Sequence, residues 1–495
     1  MIIRTRTLAA AIACTALVPA AAATGLGTAI ITTDQAALRA APRDSARQQA
    51  LLWQGEVVEV RGERMDYLQV YDHARERGGF VRASHVRRTT LTAEEAPELL
   101  SILRFLRDTP GAEALGIGFA MAAIQATPAE RLRGQAGIDA LDALGTLADR
   151  LARRASSGAE PPKAVAAKLS AHLDVATRHG IRFSTHEYAG RMQICYDGDA
   201  FRRVLAMQAT PEQRARAALA LTRTECVDPD LGPTERSRID EWRAEVLDRV
   251  DASELSPYLM NRVHVRRASV WSSIAYHRAR HGELTDAAAR RALAEFASVQ
   301  KSELADVDGP EYNDAAIRVS VSRRAAVHAT PAAAPTATYL SYESRQPGET
   351  CLVLMDARRT VSAALAKRCT FGIVWAGSAT LSREGNTLAV AVQPADGWLE
   401  LWVFWRAGSG WTIRVLPSAV AISGIGYVEF AGWVPGGTQM LVAREARVDG
   451  RYARSFEVLR LDTLAVARQA GDPGMLAAFQ RWQDASWKSE TLSVR

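Results

Sequence analysis

Four cysteines constrain this chain more than any other feature. Cys195 and Cys226 lie near each other, as do Cys351 and Cys369, and a long stretch separates the two pairs. What such thiols mean depends on the compartment, and the N-terminus points to one. Arg4 and Arg6 precede the apolar run 8–18 and then Ala21-Ala22-Ala23, the order of a secretory signal cleaved near Thr24. Residues 1–23 are therefore expected to be a signal peptide, which removes Cys14 and leaves an even set of cysteines in a periplasmic or secreted setting. A lipid anchor on Cys14 is the weaker reading, because Ala11 stands three residues before it and few apolar residues precede it.

Local pattern selects one pairing. Between Cys195 and Cys226, segments 199–207 and 211–224 read as helices. Thr210-Pro211-Glu212-Gln213 between them supplies a cap, a first-turn proline and a reciprocating Gln. A helical hairpin turning there returns its two ends, and their thiols, to each other. Cys351 and Cys369 bracket 352–355 and 361–365 around Thr360, as the strands of a β-hairpin would. No CxxC occurs, so both pairs are expected to be structural disulfides, each worth roughly 3–4 kcal/mol by loop closure.

The 495 residues are 48% hydrophobic and 23% charged, enough to bury ordinary cores in several domains. The net charge of +6 is small for this length, and the arginines are interleaved with acids, which argues against nucleic acid as a partner. The longest apolar run, 114–124, falls short of the roughly 18–20 residues that span a bilayer, so no transmembrane segment is expected.

Three compositional regions follow the leader, and together they predict a multidomain α+β chain. Residues 28–88 read as short strands over 29–32, 37–39, 49–53, 56–61, 67–71 and 79–82, punctuated by Gly55, Gly62 and Gly78-Gly79. Ala37-Leu38-Arg39-Ala40-Ala41-Pro42, Gln54-Gly55-Glu56-Val57-Val58-Glu59-Val60, Asp66-Tyr67-Leu68-Gln69-Val70 and Gly79-Phe80-Val81 occur in the order of the signature strands of a bacterial SH3 domain. The region resembles that family over about sixty residues, with Tyr67 and Phe80 where tryptophans are usual and Ala37 in place of an Asn. The resemblance implies a small SH3-like β-barrel with an aromatic groove.

Residues 91–328 read as an all-α domain, with amphipathic runs at 95–107, 138–154, 163–179, 236–250, 258–280 and 285–299. Short turns imply a bundle or stacked hairpins, and no fixed repeat is present. A Pro/Ala linker, 329–338, then leads into a strand-dense segment, 339–472, and a helix and tail, 473–495. Eight of the eleven tryptophans lie beyond the linker. Two units, 382–416 and 434–469, each carry a Gly turn, an alternating strand and two further strands, and Cys351–Cys369 marks a possible third. These units resemble blades of the WD40-like propeller repeat of the periplasmic TolB family. Two to three blades do not make a ring, which needs about four, so a twisted sandwich is the alternative form of this antiparallel β domain.

Catalytic motifs are missing. No G-x-S-x-G, no phosphate-binding G-x-x-x-x-G-K-S/T and no H-E-x-x-H occurs, and the chain has only five lysines. His277 and His281 stand one helical turn apart but lack a third ligand, and Arg278, Arg280 and Gly282 make that segment an ordinary helix end. His172, His179 and His186 recur every seven residues, yet Gly180 interrupts the series. Asp197-Gly198-Asp199 opens like a calcium loop without its later ligands. No catalytic residues, metal or cofactor are therefore expected.

Aromatic residues offer a binding surface instead. Trp53, Tyr67, Tyr71 and Phe80 are the expected ligand-binding set, with filling of the small core as their competing role. Trp402 and Phe404 should share one strand face with Trp405 near a turn, and core packing is the expected role there. The expected function is a non-enzymatic cell-envelope binding or scaffold protein whose SH3-like unit docks a peptide or peptidoglycan stem. Its partner would be a cell-wall peptide or envelope protein. The alternative is an envelope hydrolase with its site in the helical domain.

Overall fold

A computed structural model describes residues 27–156, 162–188, 190–326, 338–356, 364–408, 410–419 and 424–490. The segment expected to be a signal peptide, 1–23, and nearly all of the expected linker, 329–338, lie outside these residues. The chain is mixed, with an N-terminal antiparallel sheet, a helical middle and a C-terminal multi-sheet region.

The N-terminal sheet has seven strands, Thr28–Ile31, Ala36–Arg39, Gln48–Leu52, Val57–Arg64, Tyr67–Asp72, Arg77–Arg82 and Val86–Thr89. Its edges are Gln48–Leu52 and Val86–Thr89, and no pairing among the described residues joins them into a ring. Alternation sends Leu38, Leu52, Val58, Val60, Leu68, Val70 and Val81 to one buried side. The sheet meets the helices through backbone. Gly55 has φ +86°, and a Cβ there would stand 2.0 Å from the Ala114 carbonyl oxygen. On the same helix, Glu113–Ala126, a Cβ on Gly118 would stand 2.6 Å from the Gly55 oxygen. Only glycine permits both the left-handed turn and this approach.

The helical middle follows the predicted runs closely, with helices such as Ala96–Arg107, Gln135–Ala155, Lys163–Arg178, Pro233–Asp248, Pro257–His281 and Asp286–Ala297. At the helical hairpin, Thr210 accepts from the Gln213 backbone at 3.3 Å, while the Gln213 side chain accepts from the Thr210 backbone at 3.0 Å. Cys195 and Cys226 form a disulfide across it. One expectation needs correction: this region is not all helix. Phe183–Tyr188 pairs antiparallel with Arg191–Tyr196 around Gly190, whose φ is +75°, and Cys195 sits on this β-hairpin.

Beyond the linker, Thr338–Glu343, Thr350–Asp356 and Ala364–Thr370 form a three-stranded sheet in which Cys351 and Cys369 are register partners and disulfide-bonded. An eight-stranded sheet follows. Its first half pairs Ile373–Leu381, Thr387–Ala395, Trp398–Ala407 and Gly410–Leu416 antiparallel in succession. Its second half repeats this with Ile425–Val434, Gln439–Val448, Arg451–Arg460 and Val466–Ala470. A short parallel pairing of Trp398 and Leu399 with Gly426 and Tyr427 joins the halves. Trp402 and Phe404 are buried with Leu352 and Leu354 of the smaller sheet, and Trp405 packs on the other side with Met440. The end of the chain forms two short helices, Ala477–Trp482 and Ala485–Glu490, which set Phe479 and Trp487 against Phe456. No described helix is long and apolar enough to cross a membrane.

Candidate functional sites: an aromatic sheet face and a polar cleft

The predicted aromatic set divides. In the N-terminal sheet Tyr67 is the register partner of Arg82, Gln69 of Phe80, and Tyr71 of Gly78. Directly paired residues share a face, so Tyr67, Tyr71 and Phe80 lie together on the side opposite the Leu68 and Val70 core. Tyr67 is buried and donates to Asp44 at 2.6 Å, while the Arg82 guanidinium lies over its ring. Hydrogen bonds from Arg82 and Tyr67 lower the Asp44 carboxyl below its usual range. Tyr71 and Phe80 are half-buried, and Arg61 stacks 3.9 Å from the centroid of the Tyr71 ring. Trp53 belongs elsewhere. Its ring meets His172 edge-on at 6.2 Å, on the side where the sheet docks onto the helices.

The histidine series also divides. His172 is buried and pairs with Asp34 at 2.7 Å, His179 caps its helix and donates to the Gly55 carbonyl at 2.8 Å, and His186 lies on the hairpin strand and donates to the Glu225 carbonyl at 2.8 Å. Burial opposes ionisation of Asp34, yet hydrogen bonds from His172 and Lys168 hold its pKa down to about 2. His277 lies 3.3 Å from buried Asp240, which also pairs with Arg243, whereas His281 turns toward Glu283, so the two imidazoles do not converge on a common site. Among the described residues, one group has ligand atoms close enough for a metal: Glu349, Cys351 and Cys369. The sulfurs of that group are bonded to each other, leaving no thiolate to ligate.

A second site was not foreseen. A cavity of about 820 Å³ opens where the 183–196 hairpin, helix Pro257–His281, helix Gly309–Ser322 and the turn around Asp449-Gly450 come together. The disulfide sets two of its walls, because Cys195 ties the hairpin carrying Arg191 and Gln193 to the Thr224–Cys226 turn carrying Glu225. Ser156 reinforces this wall, accepting from the Ile194 backbone at 2.8 Å and donating to its carbonyl at 3.1 Å.

Charge dominates the lining. Arg266 gives its Nε to Glu311 at 2.6 Å and another nitrogen to the Leu219 carbonyl at 2.8 Å. Arg318 gives one nitrogen to Asp396 at 2.8 Å, and that carboxylate also accepts from Ser273. Arg447 donates to Asp314 at 2.5 Å, and the Tyr452 hydroxyl reaches the same carboxyl at 2.6 Å. Burial raises the pKa of Asp314 above the ordinary value even with Arg447 beside it, and burial likewise raises that of Tyr452. Glu225 behaves oppositely. Burial works against its ionisation, but the Arg223 and Arg266 charges bring its pKa down to about 2.

Compared with known proteins, the chain matches no family model, no curated protein and no solved structure.

Proposed function

We propose that this is an exported, non-enzymatic binding or scaffold protein of the cell envelope, in which the N-terminal sheet docks an extended peptide, such as a peptidoglycan stem, on its aromatic face. The observation that carries this reading is the convergence of Tyr67, Tyr71 and Phe80 on one face, with the contacts of Tyr67 and Tyr71 made inside the sheet rather than to the helices. The half-buried rings of Tyr71 and Phe80, beside Arg61, Arg82 and Gln69, offer both stacking and hydrogen bonding to a peptide backbone. In this reading residues 28–88 form an SH3-like unit. The two successive four-stranded meanders support blade-like units in 339–472, which would offer a second surface for protein contacts. The two disulfides fit a periplasmic or secreted protein.

Co-sedimentation with purified sacculi tests the proposal. The intact chain should pellet with sacculi, and Tyr71→Ala/Phe80→Ala should stay in solution with an unchanged melting temperature. Pelleting that is equal for both forms, or absent for both, removes the peptide-docking role.

A further inference from the structure

We infer that the 820 Å³ cleft is a second binding site, and that its ligand is a short zwitterionic peptide with free amino and carboxyl termini. The inference stands apart from the aromatic sheet face, since none of that face's residues lines the cleft.

Size comes first. Ligand cavities run from about 300 to 1,000 Å³, and this one lies near the upper end of that range. Its position at the junction of helices with the C-terminal sheet is where such sites concentrate.

The donors come next. Arg191 is exposed at the mouth and has no hydrogen bond or ion pair among the described residues. Buried Arg266 and Arg318 spend only part of their guanidinium groups on Glu311, Leu219, Thr222 and Asp396, leaving further N–H groups without a protein acceptor among the described residues. A guanidinium with spare, parallel N–H groups matches a carboxylate.

The acids select against other anions. Glu225, Glu311, Asp314 and Asp449 line the same space as the arginines. A polyanion such as pyrophosphate would meet this carboxylate field with its second charge, whereas an ammonium group is drawn to it. Asp449, in the turn at φ +52°, makes no side-chain hydrogen bond or ion pair among the described residues and lines the same cleft as Arg191. One free cation and one free anion, on elements distant in sequence, are thus brought to a single opening. A molecule with opposite charges at its two ends complements that arrangement.

Equilibrium dialysis of the full oxidised chain tests this. The probes are a randomised tripeptide pool with free termini, the same pool N-acetylated and C-amidated, and inorganic pyrophosphate, with retained species identified by mass spectrometry. Retention of members of the free pool at least tenfold above their capped counterparts is expected. Arg191→Ala and the cavity-filling Gln193→Trp should each reduce that retention tenfold or more, with unchanged melting curves certifying the fold. Tyr71→Ala/Phe80→Ala should leave it unaltered, so failure of the sheet-face proposal and failure of this one are separable. No retained peptide, equal retention of the capped pool, preference for pyrophosphate, or retention indifferent to both hairpin variants would each overturn the inference.

Discussion

The helical middle meets a β unit at each end, and the two junctions, both crossed by ion pairs, differ in how closely they pack. At the N-terminal junction backbone touches backbone at Gly55 and Gly118, Ile30 enters the helical core, His179 donates to a carbonyl, and Asp34 pairs with His172 and Lys168 and Glu56 with Arg178 beside this close contact. At the C-terminal junction a small apolar centre, Ile317 and Val321 against Leu399 and Ile425, is surrounded by ion pairs: Arg323 with Glu429 at 2.5 Å, Arg318 with Asp396, and Arg447 with Asp314. The first contact holds two units in register and leaves no room. The second borders the 820 Å³ cleft, with N–H groups to spare. Close packing transmits position, while incompletely spent charge beside a cavity is what a ligand can use.

The contrast can be broken by mutation. Arg323→Met should cost about 3–5 kcal/mol in urea unfolding, because buried Glu429 loses its cation, and adding Glu429→Leu should recover most of that loss. Equal instability of the single and double variants would show that the charge pair is not what matters there. At the other junction Gly55→Val should cost about 3 kcal/mol, through a strained φ and a clash with the Ala114 carbonyl that no rotamer relieves. A native-like melting curve for that variant would refute the backbone contact.

Acid should distinguish the junctions too. Burial lowers the pKa of His179 from 6.5, so the folded chain binds fewer protons at this site than the unfolded one. The stability it contributes is complete above 6.5 and declines as pH falls below that value. His179→Gln should flatten that part of the pH–stability curve while keeping a donor for the Gly55 carbonyl. The smallest effect belongs to the cleft: Arg191→Ala should change stability by less than about 0.5 kcal/mol, because the side chain has no partner to lose among the described residues. A larger loss would mean that Arg191 serves the fold rather than a ligand.

Much of this architecture is legible in the sequence where local chemistry decides it. The capping box at Thr210 and Gln213 forecasts the helical hairpin, and the bracketing of 352–355 and 361–365 forecasts the Cys351–Cys369 pairing, although the strand runs later, over Ala364–Thr370. The cleft is not legible, for two reasons. Helix Gly309–Ser322 opens on Gly309-Pro310, which looks like a break, and its end, Ile317-Arg318-Val319-Ser320-Val321-Ser322, alternates with the period of a strand. The hairpin strand Phe183-Ser184-Thr185-His186-Glu187-Tyr188 is too polar to stand out from its helical surroundings. Its one local signal is Gly190 between aromatic-ended segments. Arg191 and Asp449 share an opening only through tertiary structure, so no motif spacing could have joined them. Trp53 shows the same limit, since only the docked helices separate it from the other three aromatics.

All of these roles presume a chain that matures by export, and peptide mapping of material purified from its native cells, digested without reduction, tests that directly. The account predicts a mature N-terminus near Thr24 and cross-linked peptides joining Cys195 to Cys226 and Cys351 to Cys369. Recovery of the uncleaved leader together with four free thiols would contradict it.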